Sequence, residues 1–131
     1  MIDVTAIHIT ELPYVTPDAL PTLPAISALY FVLNANNDVL YVGQSRNLRQ
    51  RWYMGHGRIQ QFREAAFQRI HWLPLDIEDL VFTESEAIAY FAPSINVRYS
   101  NPRHPDILQQ QLETIYEKFY GNLDGIYLPR V

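Results

Sequence analysis

The chain has 131 residues and no cysteine, which excludes both disulfides and thiolate metal sites. No apolar run approaches the roughly 18 residues a membrane-spanning helix needs. Residues 1–14 lack a basic stretch followed by an apolar block, so they do not read as a secretory signal. Repeats and low-complexity tracts are missing, as are a phosphate-binding glycine loop, a nucleophile elbow and a paired-histidine metal motif. The four histidines, His8, His56, His71 and His104, are scattered without metal-ligand spacing. Basic residues are also few. Ten against fourteen acids leave a formal charge of −4, which on its own argues against nucleic acid as a partner. The expectation from these absences is a cytoplasmic chain of one globular domain, long enough to bury a core without staples.

What is present is unevenly distributed. Between Arg46 and Arg69 lie six arginines and one acid, Glu64, a local charge of +5, while the remainder carries −9. Such an asymmetry marks either a solvated helix face or a surface that meets an anion.

Residues 1–25 hold four prolines, which remove amide donors and bias their predecessors toward extended backbone. This segment reads as an N-terminal arm, with residues 4–9 as an edge strand. Residues 26–33 are apolar on both alternating faces, as a central strand covered on both sides requires. Asn34, Asn36, Asn37 and Asp38 supply turn chemistry, and residues 38–43 return as the second strand of a hairpin. A loop of residues 34–37 sets Tyr30 opposite Tyr41 on one sheet face; an odd-length loop shifts that pairing by one. Residues 44–47 offer helix caps before a short helix containing Leu48, Arg51 and Trp52. Ile59, Phe62, Ala66 and Ile70 mark one stripe of a second helix, and residues 70–74 a third strand. A third helix starts at Asp76, or at Thr83 by a capping box, and stops before Pro93. Its inward stripe is Ile77, Leu80, Val81, Ala87, Ile88 and Phe91. Asp106 can cap a last helix with Leu108, Leu112, Ile115 and Phe119 inward. The predicted architecture is α+β: a small three-stranded antiparallel sheet flanked by helices, with an extended N-terminal arm and an extra C-terminal helix. The corresponding domain division is arm 1–25, core domain 26–98, and residues 99–131 packed on it.

Glu84 falls within an apolar helix stripe, where an uncompensated carboxylate is costly to bury. It therefore needs a partner: an arginine such as Arg51 or Arg69, a metal, or backbone amides. A single carboxylate suits Mg²⁺, which keeps most of its waters and takes one or two carboxylates plus substrate phosphate. Tyr30 and Tyr41 need cationic neighbours to act as bases near neutrality, since a phenol ordinarily titrates near about 10. Arg51 is placed to supply that field and a bidentate phosphate contact. His56, in a glycine-flanked bend after Arg51, is the one histidine near these residues.

Ala28, Leu29 and Tyr30, then Tyr41, Val42 and Gly43, then Asn47, Leu48 and Arg51, resemble the GIY-YIG nuclease family. The resemblance continues through Glu84, Ile88, Pro93 and Asn96 at family-like spacing and covers about residues 26–98. It implies that Tyr30 acts as, or assists, the general base and that Tyr41 lines the site. By the same resemblance Arg51 holds the scissile phosphate, Glu84 is the sole protein ligand of Mg²⁺ or Mn²⁺, and Asn96 supports the site. Gly43, Gln44 and His56 belong to the supporting set, and Arg46, Arg49, Arg58 and Arg63 are the expected nucleic-acid contacts. Three positions depart from the pattern. Ala28 replaces the first motif glycine, Gln44 stands where many relatives carry a base, and His56 lies one residue beyond the usual helix histidine or tyrosine.

The implied activity is divalent-metal-dependent hydrolysis of phosphodiester bonds in DNA, branched or damaged forms included. The alternative is a catalytically weak or silent module that binds nucleic acid or protein. No specificity region is visible, so target choice would come from a homodimer or a partner protein.

Overall fold

Residues 2–53 and 55–98 are described by a computed structural model. The expected C-terminal helix after Asp106 and the tail beyond it lie outside these residues.

The centre of the fold is β2 (Ala28–Asn34), buried at every position from Ala28 to Leu33. Its all-apolar sequence is explained by cover on both sides. Ala28, Tyr30 and Val32 face one core with Leu48, Trp52 and Phe62, whereas Leu29, Phe31 and Leu33 face another with Leu80 and Ala87. β2 pairs antiparallel with β3 (Val39–Ser45) on one side and β4 (Phe67–Pro74) on the other. A fourth strand, β1 (Tyr14–Val15), adds to β4 and completes the order β1-β4-β2-β3. The sheet therefore has four strands among the described residues where the sequence suggested three. The extra one comes from the proline-rich arm, whose extended backbone is suited to edge pairing.

The hairpin register differs from the simplest expectation in an instructive way. Asn34 N–H bonds the Asp38 carbonyl at 3.2 Å, leaving a three-residue loop that ends on Asn37 in the left-handed region at φ 66°. This odd loop shifts the pairing by one residue, and an irregularity between Val32 and Leu33 shifts it by one more. Tyr30 consequently faces Gly43, and Tyr41 faces Val32. Because two single-residue offsets restore the period of two, both tyrosines remain on the same face.

α1 (Leu48–Tyr53) and α2 (Ile59–Glu64) cover the tyrosine face. Asn47 caps α1 by accepting from the Gln50 amide at 3.1 Å. α2 is shorter than its apolar stripe implied. Ala66 adopts φ 55° and turns the chain, and Phe67 onward is claimed by pairing with β2, so Ile70 sits on a strand. The other face carries α3 (Leu80–Phe91), entered through a 3-10 turn at Ile77–Asp79. Leu80, Thr83 and Ala87 of α3 are buried, but Ile77 and Val81, expected inward, are half exposed because the true contact stripe is narrower. α4 (Ser94–Arg98) then rounds the edge of β3.

The arm contains 3-10 turns at Val4–Ala6, Ile9–Glu11 and Pro17–Thr22, not an edge strand at 4–9. Asp3 explains the first turn: its carboxylate accepts from the Thr5 amide at 3.0 Å, a local bond that competes with strand pairing. The arm is anchored by backbone acceptors. His71 Nδ1–H donates to the Leu12 carbonyl at 3.0 Å, Trp72 N–H to Pro13 at 3.2 Å, and Arg49 Nε–H to Leu23 at 2.6 Å. Leu23 is fully buried beside Tyr30, Leu48 and Trp52, a burial worth about 1.5–3 kcal/mol.

Candidate active site

Three elements converge on the face of the hairpin that carries the tyrosines. β2 contributes Tyr30, β3 contributes Tyr41 and Gly43, and the stretch from α1 into α2 contributes Arg51, Trp52, His56, Arg58 and Phe62. Tyr30 is fully buried, with ring centroids 6.2 Å from Tyr41, 5.5 Å from Trp52 and 5.7 Å from His56. Its phenol lies directly over Gly43. A Cβ built at Gly43 would stand 2.5 Å from both Cζ and Oη of Tyr30. The glycine is thus needed for close approach, not for an unusual backbone angle.

His56 organises the phenol. Its Nδ1 accepts from the Arg58 amide at 3.0 Å, and its Nε2 lies 2.5 Å from Tyr30 Oη. Burial, and then the charges of Arg51 and Arg58, hold its pKa well below the ordinary histidine value, so the ring is neutral near pH 7. A neutral ring whose Nδ1 is an acceptor carries its one proton on Nε2. His56 therefore donates to the phenol oxygen, so the phenol O–H is directed away from this ring. In that state the imidazole cannot take the Tyr30 proton.

Arg51 and Arg58 are each only 8% exposed, and the Arg58 guanidinium stands 5.2 Å over the Tyr41 ring. Arg58, expected among the nucleic-acid contacts, is buried in this cluster. Its position at the start of α2, after Gly57, carries no sequence signal of burial. Trp52 and Phe62 wall the cluster, with Trp52 4.7 Å from His56. The inward direction of Phe62 is legible in the helix period. Tyr53 is 70% exposed and points away.

The remaining arginines divide by task. Arg49, although exposed, ties the arm through the Leu23 carbonyl. Arg69 bonds the Asn37 side chain and lies over the Tyr14 ring, so it braces the hairpin turn and β1. Arg46 and Arg63 are exposed.

Two further expected site residues lie on β3 and α3. Gln44 pairs with Leu29, so it is buried on the α3 face and points away from Tyr30. Glu84 is half-buried on α3, one turn from Leu80 and from Ile88. Asn96 acts on β3 itself. It accepts from Val42 N–H at 2.7 Å and donates to the Val42 carbonyl at 3.1 Å, satisfying both groups on an edge of β3 that has no strand neighbour among the described residues.

Among the described residues no three His, Asp or Glu side chains gather as a metal cage. A single half-buried carboxylate could hold a hydrated Mg²⁺ or Mn²⁺ that completes its shell with water and phosphate, and Glu84 is the residue that would do so.

A neutral histidine donating to a phenol, with two buried arginines beside it, is an arrangement that stabilises an anionic oxygen in a cationic pocket. Residues 27–90 match the family model of the GIY-YIG catalytic domain. These residues form a domain of the GIY-YIG nuclease superfamily, a domain that indicates nuclease-type phosphodiester hydrolysis in general. No curated protein sequence matches it. No described helix is long and apolar enough to cross a membrane.

Proposed function

We propose that this chain is a divalent-metal-dependent endonuclease that hydrolyses phosphodiester bonds in DNA. The observation that carries the reading is the buried Tyr30–His56 hydrogen bond, with the charges of Arg51 and Arg58 both felt at the histidine. Hydrolysis needs a deprotonated water, neutralised phosphoryl oxygens and help for the leaving oxygen. Tyr30 supplies the first. The bond from His56 Nε2–H strengthens when the phenol loses its proton, and the adjacent guanidiniums favour the resulting anion. The Tyr30 phenol first releases its own proton to bulk water, on the side away from His56, and the phenolate then takes the proton of the attacking water. Arg51 binds the scissile phosphate, and Tyr41 orders water or phosphate beside it. Glu84 would hold Mg²⁺ or Mn²⁺, which supplies Lewis-acid stabilisation of the developing charge on oxygen.

Domain 26–98 would carry this chemistry, with specificity supplied by a second copy or a partner protein. One site per chain cuts one strand, so the expected product from a plasmid is a nicked circle with weak sequence preference. Plasmid nicking in Mg²⁺ or Mn²⁺ tests the assignment with wild type, Tyr30→Phe, Arg51→Ala and Glu84→Ala. Each variant is expected to lose about 10²-fold or more in rate, the scale of removing one charge-stabilising group. Equal activity in all four preparations would reveal a contaminant and sink the enzyme reading. Salt-dependent DNA binding without turnover would establish the silent binding module instead.

A further inference from the structure

We propose that the outward face of α3 is a docking surface for residues 106–119 of the same chain, with Leu108, Leu112, Ile115 and Phe119 laid over Val81, Phe82, Ser85 and Ala89. The contact is independent of the nuclease reading.

A helix with one buried side ordinarily carries charge on the other, and the exposed residues of α2, Gln60, Arg63 and Glu64, follow that rule. α3 does not. Leu80, Thr83 and Ala87 are buried, yet its exposed residues are Val81, Phe82, Ser85, Ala89 and Tyr90, none of them charged. The two charges of the helix, Glu84 and Glu86, sit at half-buried positions outside that face. Val81, Ser85 and Ala89 recur once per turn with Phe82 beside them, and Ile77 extends this surface from the turn before the helix. Ile77, Val81 and Phe82 are half exposed and belong to neither core. Single exposed apolar residues need no explanation, but a contiguous uncharged face marks a place of contact.

The chain itself supplies a matching cover. Beyond the described residues, Leu108, Leu112, Ile115 and Phe119 recur at the spacing of one helical stripe, with Gln110, Glu113 and Glu117 falling opposite. α4 follows α3 after only Ala92 and Pro93 and ends at Arg98. From there to Leu108 an extended chain reaches about 33 Å, against about 18 Å for the whole length of α3. Tethering also raises the local concentration of the segment to about the mM range, which a separate molecule does not enjoy. A second copy is the poorer occupant for a further reason. Pairing this face with itself would set Asp76, Glu78 and Glu86 near their own counterparts, whereas Gln111 and Tyr116, which flank the stripe of the segment, are uncharged.

Ser85 is the probe, because it is exposed at the centre of the face. On an open helix Glu and Lys form helix at least as well as Ser, so Ser85→Glu and Ser85→Lys would melt within about 2 °C of wild type. Beneath an apolar stripe both bury a charge, and each full-length variant is expected to melt about 6 °C lower or more. Repulsion or attraction by nearby acids alone would move the two variants in opposite directions. The cover is identified by coupling. In a Leu112→Asp background, already less stable than wild type, both Ser85 substitutions should cost less than about 2 °C, because the stripe no longer lies over them. Should Leu112→Asp fail to fold, Leu112→Ala serves, and the Ser85 penalty must then shrink by about half. Light scattering is expected to show a monomer throughout. Ser85 variants that both melt with wild type would leave the face open to a separate partner and overturn the proposal. A penalty undiminished by the Leu112 substitutions would overturn it by placing the segment elsewhere. A wild-type dimer that Ser85→Glu dissociates would assign the face to a second copy instead.

Discussion

Replacing Gly43 by alanine tests how the site is assembled more directly than removal of any functional group. The strand backbone at Gly43 accepts an L-residue, so the substitution adds one methyl and changes nothing else. That methyl would lie 2.5 Å from Cζ and Oη of Tyr30 and 2.9 Å from Cε2. Carbon atoms in ordinary contact stand about 3.5–4.0 Å apart, so the phenol must retreat by roughly 1 Å. The ring has little room to do so, with Tyr41, Trp52 and His56 all buried around it. Overpacking of this kind costs about 1–3 kcal/mol, and losing the Tyr30–His56 bond adds about 1. At roughly 4 °C per kcal/mol for a domain of this size, melting should fall by about 8–16 °C. A displacement of 1 Å at a reacting group also lowers rate by about 10²-fold. Gly57→Ala is the matched comparison, because a Cβ there meets nothing within 4 Å. It should change stability by less than about 0.5 kcal/mol. Thermal unfolding by circular dichroism and plasmid nicking read the two effects, and imidazole NMR signals report the His56 bond. If Gly43→Ala melts with wild type and keeps the His56 signals, the close-approach argument is wrong.

Two further outcomes follow from the same geometry. Asn96→Ala removes both side-chain bonds to Val42 and leaves a buried amide and carbonyl unsatisfied, so it should cost about 2–4 kcal/mol in urea unfolding. Asn96→Asp should recover part of this loss, because the Val42 amide keeps its acceptor; equal loss in both variants would contradict the donor–acceptor account. Acid should also destabilise the fold. Both His56 and His71 have folded pKa values lowered chiefly by burial, so the unfolded chain binds more protons once pH falls below about 6.5. Their contribution is complete above that pH and is lost progressively below it, so melting temperature should drop between pH 7 and 5. The drop should shrink in His56→Phe, and an unchanged pH dependence in that variant would show that the ring is not buried neutral.

The division of cores illustrates what periodicity carries. β2 announces itself as a doubly covered strand because every position from Ala28 to Leu33 is apolar or aromatic, and both faces proved to be filled. The reach of α2 was misjudged for the opposite reason. Ile59, Phe62, Ala66 and Ile70 fit a helical stripe, and only pairing with β2 across more than thirty residues decides that Phe67 onward is strand. β1 was equally hidden. Its two residues have no local pattern to reveal them, and the strand exists because His71 and Ile70 offer an edge.

Sequence alone determined the family-defining hairpin, the buried tyrosines, the arginine on α1 and the absence of thiol chemistry, since these depend on residue type and short spacing. Tertiary structure decided which charges matter. The −4 of the whole chain and the +5 of one segment say nothing about where each guanidinium goes. Folding ties Arg49 and Arg69 to backbone or side-chain oxygens, leaves Arg46 and Arg63 in solvent, and buries Arg51 and Arg58 around a neutral histidine. Burial and hydrogen-bond partners are set by residues distant in sequence, and they convert a local excess of charge into a site.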